Sequence, residues 1–226
     1  MGRTSTARER LIATMADLVH QRGYAAVGVD EVCKAAGVKK GSFYYFFKSK
    51  RELMLAALDL RWQMLCDHIL PGAFGRDLPP LQRLQRLFLT IADLEAANRT
   101  SRGVVLGCPF GNLAAELGLS EASIAKRTNE AFCGFASIMR EALNEAKARG
   151  EVDRHLDVKE AAEAAVAYFE GLMLLAKTRN DPAIIRRLGP LVVHLARPPV
   201  RATRKKARGT SATPGTFGEP SAKGRR

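Results

Sequence analysis

Apolar residues recur along most of this chain at three- and four-residue spacing. From Thr4 to about Arg22, the residues Leu11, Met15, Leu18 and Val19 fall at i, i+4, i+7 and i+8, one apolar stripe with a polar back. Gly23 stands where a helix of that length would close. Val29, Val32, Cys33 and Ala36 repeat the spacing over a shorter span, with Gly28 at the N-cap, Glu31 three residues on and Gly37 as the stop. After Val38-Lys39-Lys40 a second short helix is predicted from Gly41 to Phe47. A long one follows from near Lys50 to about Leu70, ending at Pro71-Gly72. Beyond Pro79-Pro80 the pattern predicts helices over roughly 81–98, 109–118, 121–149, 157–178 and 182–196. Ser120 and Asp157 are the expected caps of the 121–149 and 157–178 helices, Gly150 ends the former, and Asp181-Pro182 opens the last with Pro at N1. No alternating β-branched run of strand length occurs, so the fold class is all-α.

Two short helices joined through a glycine turn, behind a longer first helix, make a helix-turn-helix layout. In the second short helix, Phe43, Phe46 and Phe47 sit at i, i+3 and i+4 and are expected to pack toward the first helix. Ser42, Tyr44 and Tyr45 then share the outer aspect with Lys39 and Lys40 at the helix start. A helix entering a major groove needs small or polar side chains for base edges, and cations and hydroxyls for phosphate. The positive end of its dipole adds to the phosphate attraction.

The run from Gly23-Tyr24 and then from Val29 to Leu53 resembles the TetR family of bacterial transcriptional regulators. The shared features are the Ala35-Ala36-Gly37-Val38 turn, Lys40-Gly41-Ser42-Phe43-Tyr44-Tyr45-Phe46-Phe47, and Ser49-Lys50-Arg51-Glu52-Leu53. The resemblance implies an N-terminal helix-turn-helix domain over 1–60 (motif about 28–47) and a larger helical ligand-sensing and dimerisation domain over 61–196. Lys40, Ser42, Tyr44 and Tyr45 would touch double-stranded DNA, with Lys50 on a phosphate. Lys39 and an arm at Arg3 and Thr4 are added on charge alone. Two positions depart from the family pattern. Gly28-Val29 stand where a hydroxyl often opens the first short helix, and Phe46 replaces a Tyr or His. The family also implies a homodimer on a near-palindromic operator. Its interface would come from 157–178 and 182–196, where Ala161, Ala162, Ala164, Ala165 and Ala167 keep one helix slim. Leu172, Leu175, Leu188, Leu191, Val192 and Leu195 supply apolar surface.

Charge sharpens this picture. Of 226 residues 36 are Lys or Arg and 23 are Asp or Glu, a net charge of +13, which suits a polyanionic partner. The excess is uneven: +4 over 1–60, +1 over 61–196 and +8 over 197–226. The last stretch is rich in Pro, Gly, Ser, Thr and Ala, and is expected to be a disordered basic tail. Its Arg204-Lys205-Lys206-Ala207-Arg208 cluster would add sequence-independent phosphate attraction. A non-specific DNA-coating protein is the competing class, separated by salt dependence without sequence preference.

In the 61–196 region the expected walls of an apolar ligand pocket are Trp62, Phe88, Phe110, Phe135, Met139 and Tyr168, with Met64, Phe132 and Met173 as further members. One segment, Gly107-Cys108-Pro109-Phe110-Gly111-Asn112-Leu113-Ala114-Ala115-Glu116, resembles that of a TetR subgroup that includes the N-ethylmaleimide-reductase repressor. That resemblance implies Cys108 as an electrophile or redox sensor with Lys177 beside it. A thiol near a helix N-terminus and a cation ionises more readily, and the thiolate is the reactive form. The alternative is a non-covalent small-molecule effector.

The four Cys (33, 66, 108 and 133) show no close CxxC pairing. There is no nucleophile elbow, P-loop, dinucleotide fingerprint or HExxH, and His20, His68, His155 and His194 are scattered. No enzyme, cofactor or metal site is expected. The charged N-terminal stretch and the lack of a long apolar run point to a cytoplasmic protein away from membranes.

Overall fold

A computed structural model describes residues 2–196, with side chains from Thr6 onward. The Arg3 and Thr4 side chains and the 197–226 tail lie outside the described residues. Every regular element among those described is a helix. α1 (Gly2–Arg22), α2 (Val29–Ala36), α3 (Lys40–Phe46) and α4 (Lys50–Met64) come first. A π-turn, Leu65–Ile69, leads into α5 (Leu70–Ala73). Then follow α6 (Pro80–Arg102), α7 (Pro109–Leu117), α8 (Ala122–Ala148), α9 (Val158–Arg179), α10 (Ala183–Leu188) and a 3₁₀ stretch, Gly189–Ala196. No described helix is long and apolar enough to cross a membrane.

The first four helices share one core. Leu11 and Met15 of α1 and Phe43 of α3 are fully buried, and Phe47 just past α3 is nearly so. Gly37 ends α2 in the left-handed conformation at φ 62°, where a side chain would be strained. Gly28 caps α2 with no side-chain bond, as the missing hydroxyl predicts. The start of α4 is better made: Ser49 Oγ accepts from Glu52 N at 3.1 Å, and the Glu52 carboxylate accepts from Lys48 N at 2.7 Å. These reciprocal bonds satisfy N–H groups that have no acceptor within the helix.

Several boundaries differ from those expected, and α6 itself runs to Arg102 rather than to about 98. The helix after Lys50 does not stop at Pro71 but runs on to Ala73. Leu70 N bonds back five residues to Leu65 O, and this wider turn leaves Pro71 in the first turn of α5, where its missing N–H needs no partner. Ser120 does not cap α8. Its hydroxyl bonds Leu117 O, and Glu121 holds the cap position without a side-chain bond. The last helix is α-helical only to Leu188, because Pro190 removes a donor and the chain tightens into a 3₁₀ turn. Asp157 does cap α9, accepting from Lys159 N and Glu160 N at 2.9 and 3.1 Å.

The larger set of helices closes on an aromatic ladder. Trp62 meets Phe135 edge-on at 5.5 Å and Phe110 at 6.2 Å, and Phe169 joins Phe135 to Phe88, each at 5.7 Å. At its edge Arg83, itself buried, donates to Leu78 O at 2.7 Å and to the Glu145 carboxylate at 2.6 Å, fastening α6 to α8. Leu172 and Val192 are buried in this core, while Leu174, Leu175, Leu191 and Leu195 stay exposed on α9 and the 3₁₀ stretch.

Ser49→Ala removes one acceptor of the α4 cap and is expected to lower stability by about 1 kcal/mol, read as a shift of the urea midpoint at constant slope.

Candidate DNA-binding face and ligand cavity

The outward side of α3 carries Tyr44 and Tyr45, 56% and 77% exposed, with Ser42 half-buried and Lys39 and Lys40 exposed at the helix start. Phe43 lies edge-on to Tyr44, and Phe46 to Tyr45, each at 5.0 Å, so the two phenols stand on a rigid aromatic base. Lys40 Nζ pairs with Asp30 Oδ1 of α2 at 2.7 Å, and that hydrogen bond raises its pKa. Lys50 is placed differently from its neighbours. Its ammonium donates to Tyr24 O at 2.6 Å and lies 3.9 Å from the Tyr24 ring centre, and burial lowers its pKa. In this conformation it holds the α1–α2 turn.

The same turn is gripped from α7. Glu116 accepts from Tyr24 N at 2.8 Å and from Ala25 N at 2.7 Å. Gly23, at φ 85°, turns the chain toward it, and a Cβ there would sit 3.1 Å from the carboxylate. Further links run beside it: Asp17 to Arg102 at 2.8 Å, Arg51 to Glu121 at 3.3 Å, and Asp59 to Arg127 at 2.6 Å.

The loop before α7 is held by two polar side chains. The buried Glu95 accepts from Leu106 N at 2.8 Å, and burial raises its pKa. Asn180, the left-handed cap of α9, accepts from Val105 N and donates to Gly103 O. This sets Gly107 O 2.7 Å from His20 Nε2. Burial, aided by the positive charges of Arg61 and Lys177, pulls His20 down to about 4. The imidazole is therefore neutral at pH 7.

A cavity of about 980 Å³ opens between α1, α4, α7, α8 and α9. Its walls include Val19, His20, Leu58, Arg61, Phe132 and Glu170. None of Trp62, Phe88, Phe110, Phe135, Met139 and Tyr168 lines it. Trp62, Phe88, Phe110, Phe135 and Tyr168 are spent on ring contacts in the core, with the Tyr168 hydroxyl donating to Leu188 O, and Met139 is buried. Phe132 and Met173 do reach the cavity, whereas Met64 is exposed away from it.

Cys108 also borders the cavity, as the cap residue of α7, with Sγ accepting from Gly111 N at 3.4 Å. The expected activation is not what surrounds it. The thiol is buried, and burial together with the Glu170 carboxylate pushes its pKa well above that of a free cysteine. The Lys177 ammonium instead donates to Asn112 Oδ1 at 2.8 Å, and its stem packs on Gly107. A protonated, shielded thiol is a poor nucleophile. Glu116 closes the Gly107–Glu116 segment, where its spacing carries no sign of a role. His20, Arg61 and Glu170 gave no signal at all, since each falls at ordinary helical spacing.

Residues 11–57 match the family model of bacterial regulatory proteins of the tetR family, and residues 80–189 match that of the tetracyclin repressor-like C-terminal domain. The chain belongs to the TetR family. It is similar to the transcriptional regulator AcuR of Cereibacter sphaeroides, 35% identical over 185 residues that cover 79% of this chain and 80% of the relative. The repressor NemR of Escherichia coli is 46% identical over 52 residues, 23% of this chain and 26% of NemR. Among solved structures, a TetR regulatory protein from Rhodobacter sphaeroides superposes with a TM-score of 0.73 at 28% identity, covering 84% of this chain and 98% of the other. Reduced E. coli NemR gives 0.71 at 22% identity, covering 84% and 94%, a likeness of fold. The family is one of transcriptional regulators with a DNA-binding helix-turn-helix, not of enzymes.

The neutral His20 predicts an acid-side loss of stability. The unfolded chain binds this proton near pH 6.5 and the folded chain only near 4. Between those values the unfolded state holds more protons, so stability falls with falling pH, by up to ~3 kcal/mol. Glu95 and Glu170, raised by burial, act in the opposite sense. The comparison of wild type with His20→Gln in urea titrations from pH 7 to pH 4 isolates the histidine: the variant is expected to show the smaller decline.

Proposed function

We propose that this TetR-family regulator is a homodimeric repressor that binds a near-palindromic operator through α3 and is released by a small molecule in the cavity behind α1 and α4. The observation that carries this reading is the position of the cavity. Two of its walls, α1 and α4, belong to the helix-turn-helix half, and the others, α7, α8 and α9, to the remainder. A ligand there acts on helix packing and on the Glu116 grip at the same time. It shifts the equilibrium only as far as it prefers the DNA-incompetent arrangement, since equal affinity for both states shifts nothing.

Lys39, Lys40, Ser42, Tyr44 and Tyr45 are the proposed DNA contacts, and Lys50 adds a phosphate contact if it leaves the Tyr24 carbonyl on binding. The exposed Leu174, Leu175, Leu191 and Leu195 are the proposed apolar seam of the dimer. The burial of Cys108 favours a non-covalent effector over thiol chemistry. Under that reading a mild electrophile acts alike on wild type and Cys108→Ser.

The deciding experiment is fluorescence anisotropy against labelled DNA from immediately upstream of the chain's own gene, with scrambled DNA as the control. Tyr44→Ala is expected to weaken specific binding by about 1–2 kcal/mol, on the order of tenfold, with unchanged circular dichroism. Light scattering at micromolar concentration should give twice the 24.7 kDa chain mass, and a monomer there counts against the proposed dimer.

A further inference from the structure

The α1–α4 unit meets the helices behind it through contacts of two kinds. Some are ion pairs between side chains: Asp17 with Arg102 at 2.8 Å, Arg51 with Glu121 at 3.3 Å and Asp59 with Arg127 at 2.6 Å. Both ends of such a pair can follow a displacement by changing rotamer, so it fixes orientation loosely. Others reach the backbone. His20 Nε2 lies 2.7 Å from Gly107 O and holds α1 to the loop before α7. Glu116 of α7 accepts from Tyr24 N and Ala25 N at 2.8 and 2.7 Å, and both donors are fixed in the main chain of the α1–α2 turn. Two charge-assisted bonds to one carboxylate define a direction as well as a distance.

That turn is where the helix-turn-helix is itself tied together. Arg22 at the end of α1 pairs with Glu31 of α2 and donates to Ala26 O at 3.0 Å. Lys50 of α4 donates to Tyr24 O at 2.6 Å. α2 leaves from this turn, and α3 follows it directly after the Gly37 stop. A grip on the turn amides therefore reaches the recognition helix through short paths.

A further anchor lies on α4. Trp62 stands so close over Gly134 of α8 that a Cβ there would sit 2.4 Å from the indole, and the ring meets Phe135 edge-on at 5.5 Å. Trp62 and His20 thus hold the unit along α4 and α1, while Glu116 holds the end from which α2 and α3 depart. Neither core depends on this grip. Leu11 and Phe43 close one, Phe88 and Phe169 the other, and the Glu116 bonds lie at an exposed turn. What the grip fixes is geometry.

In a homodimer the two recognition helices must enter the major groove a set distance apart. One base pair added between the half-sites moves them by about 3.4 Å and turns them by about 34°. We propose that Glu116 sets the orientation of α3 relative to the dimer bundle, and so makes this regulator selective for the half-site spacing of its operator. It is a positioning residue, with no contact to DNA. The inference rests on the homodimeric, operator-binding reading above.

The test begins with selection of double-stranded DNA from a random pool by the full chain. The enriched palindrome is then synthesised with its own spacing and with one base pair added or removed at its centre, and anisotropy gives a Kd for each duplex. In wild type the altered spacing is expected to weaken binding about tenfold, and in Glu116→Ala only about threefold. Glu116→Gln should fall between, since its amide keeps one acceptor. The readout is a ratio of Kd values within one protein, so a general loss of affinity or of folded protein cancels. Asp59→Asn, which disturbs only a neighbouring ion pair, should keep the wild-type ratio. A wild type indifferent to spacing, undiminished ratios in both Glu116 variants, or an equal fall in Asp59→Asn overturns the proposal while the operator reading stands. If the wild type enriches no paired half-sites, the homodimeric operator reading fails and the proposal fails with it.

Discussion

The carboxylate of Glu116 takes the backbone N–H groups of Tyr24 and Ala25, two donors left without helical acceptors where α1 ends. Both amides lie at an exposed turn, and a carboxylate partner makes each bond charge-assisted. Here that partner comes from α7, ninety residues along the chain, and it joins the helix-turn-helix to the bundle behind it. Gly23 permits the turn, Lys50 secures it from below through the Tyr24 carbonyl, and the loop held by Glu95 and Asn180 delivers α7 to the correct place. Around that joint the His20–Gly107, Asp17–Arg102 and Arg51–Glu121 contacts repeat the connection.

The energetic character of the two halves differs. The α1–α4 unit is closed by aliphatic packing onto Phe43 and Phe47, which leaves the tyrosines of α3 facing outward on an immobile base. The larger bundle is closed by Phe88, Phe169 and Phe135 packed ring to ring and by Arg83 clamped to Glu145, and Trp62 of α4 meets Phe135 edge-on from the other half. Between them lies the cavity, and His20, Arg61 and Glu170 beside it each keep one buried polar atom without a hydrogen-bond partner.

Cysteine chemistry illustrates why environment decides. The resemblance of its segment makes Cys108 a candidate sensor beside the non-covalent alternative, and it does cap a helix N-terminus. Yet a helix dipole is a modest influence, and here it is outweighed by desolvation and by a carboxylate within hydrogen-bond reach. The lysine expected to activate the thiol is held by an amide side chain instead.

The helices, the helix-turn-helix and the family are legible in the sequence alone. Periodicity, the glycine stops, the Asp157 cap and the ordered run from Gly23 to Leu53 are local features, and local features can be read along the chain. It also assigned the faces of α3 correctly, because three phenylalanines at helical spacing leave only one side for Tyr44 and Tyr45. Boundaries at Pro71 and Pro190 escaped it, since a proline can end a helix or be absorbed by a wider or tighter turn, and packing chooses. Which aromatic residues are core, and which polar ones border the cavity, is settled by packing in three dimensions. Trp62 and Phe135 look like pocket walls in one dimension and are spent on each other in three. His20, Arg61 and Glu170 lie far apart in sequence on three helices, and no spacing rule links them. They border one cavity because α1, α4 and α9 cross there.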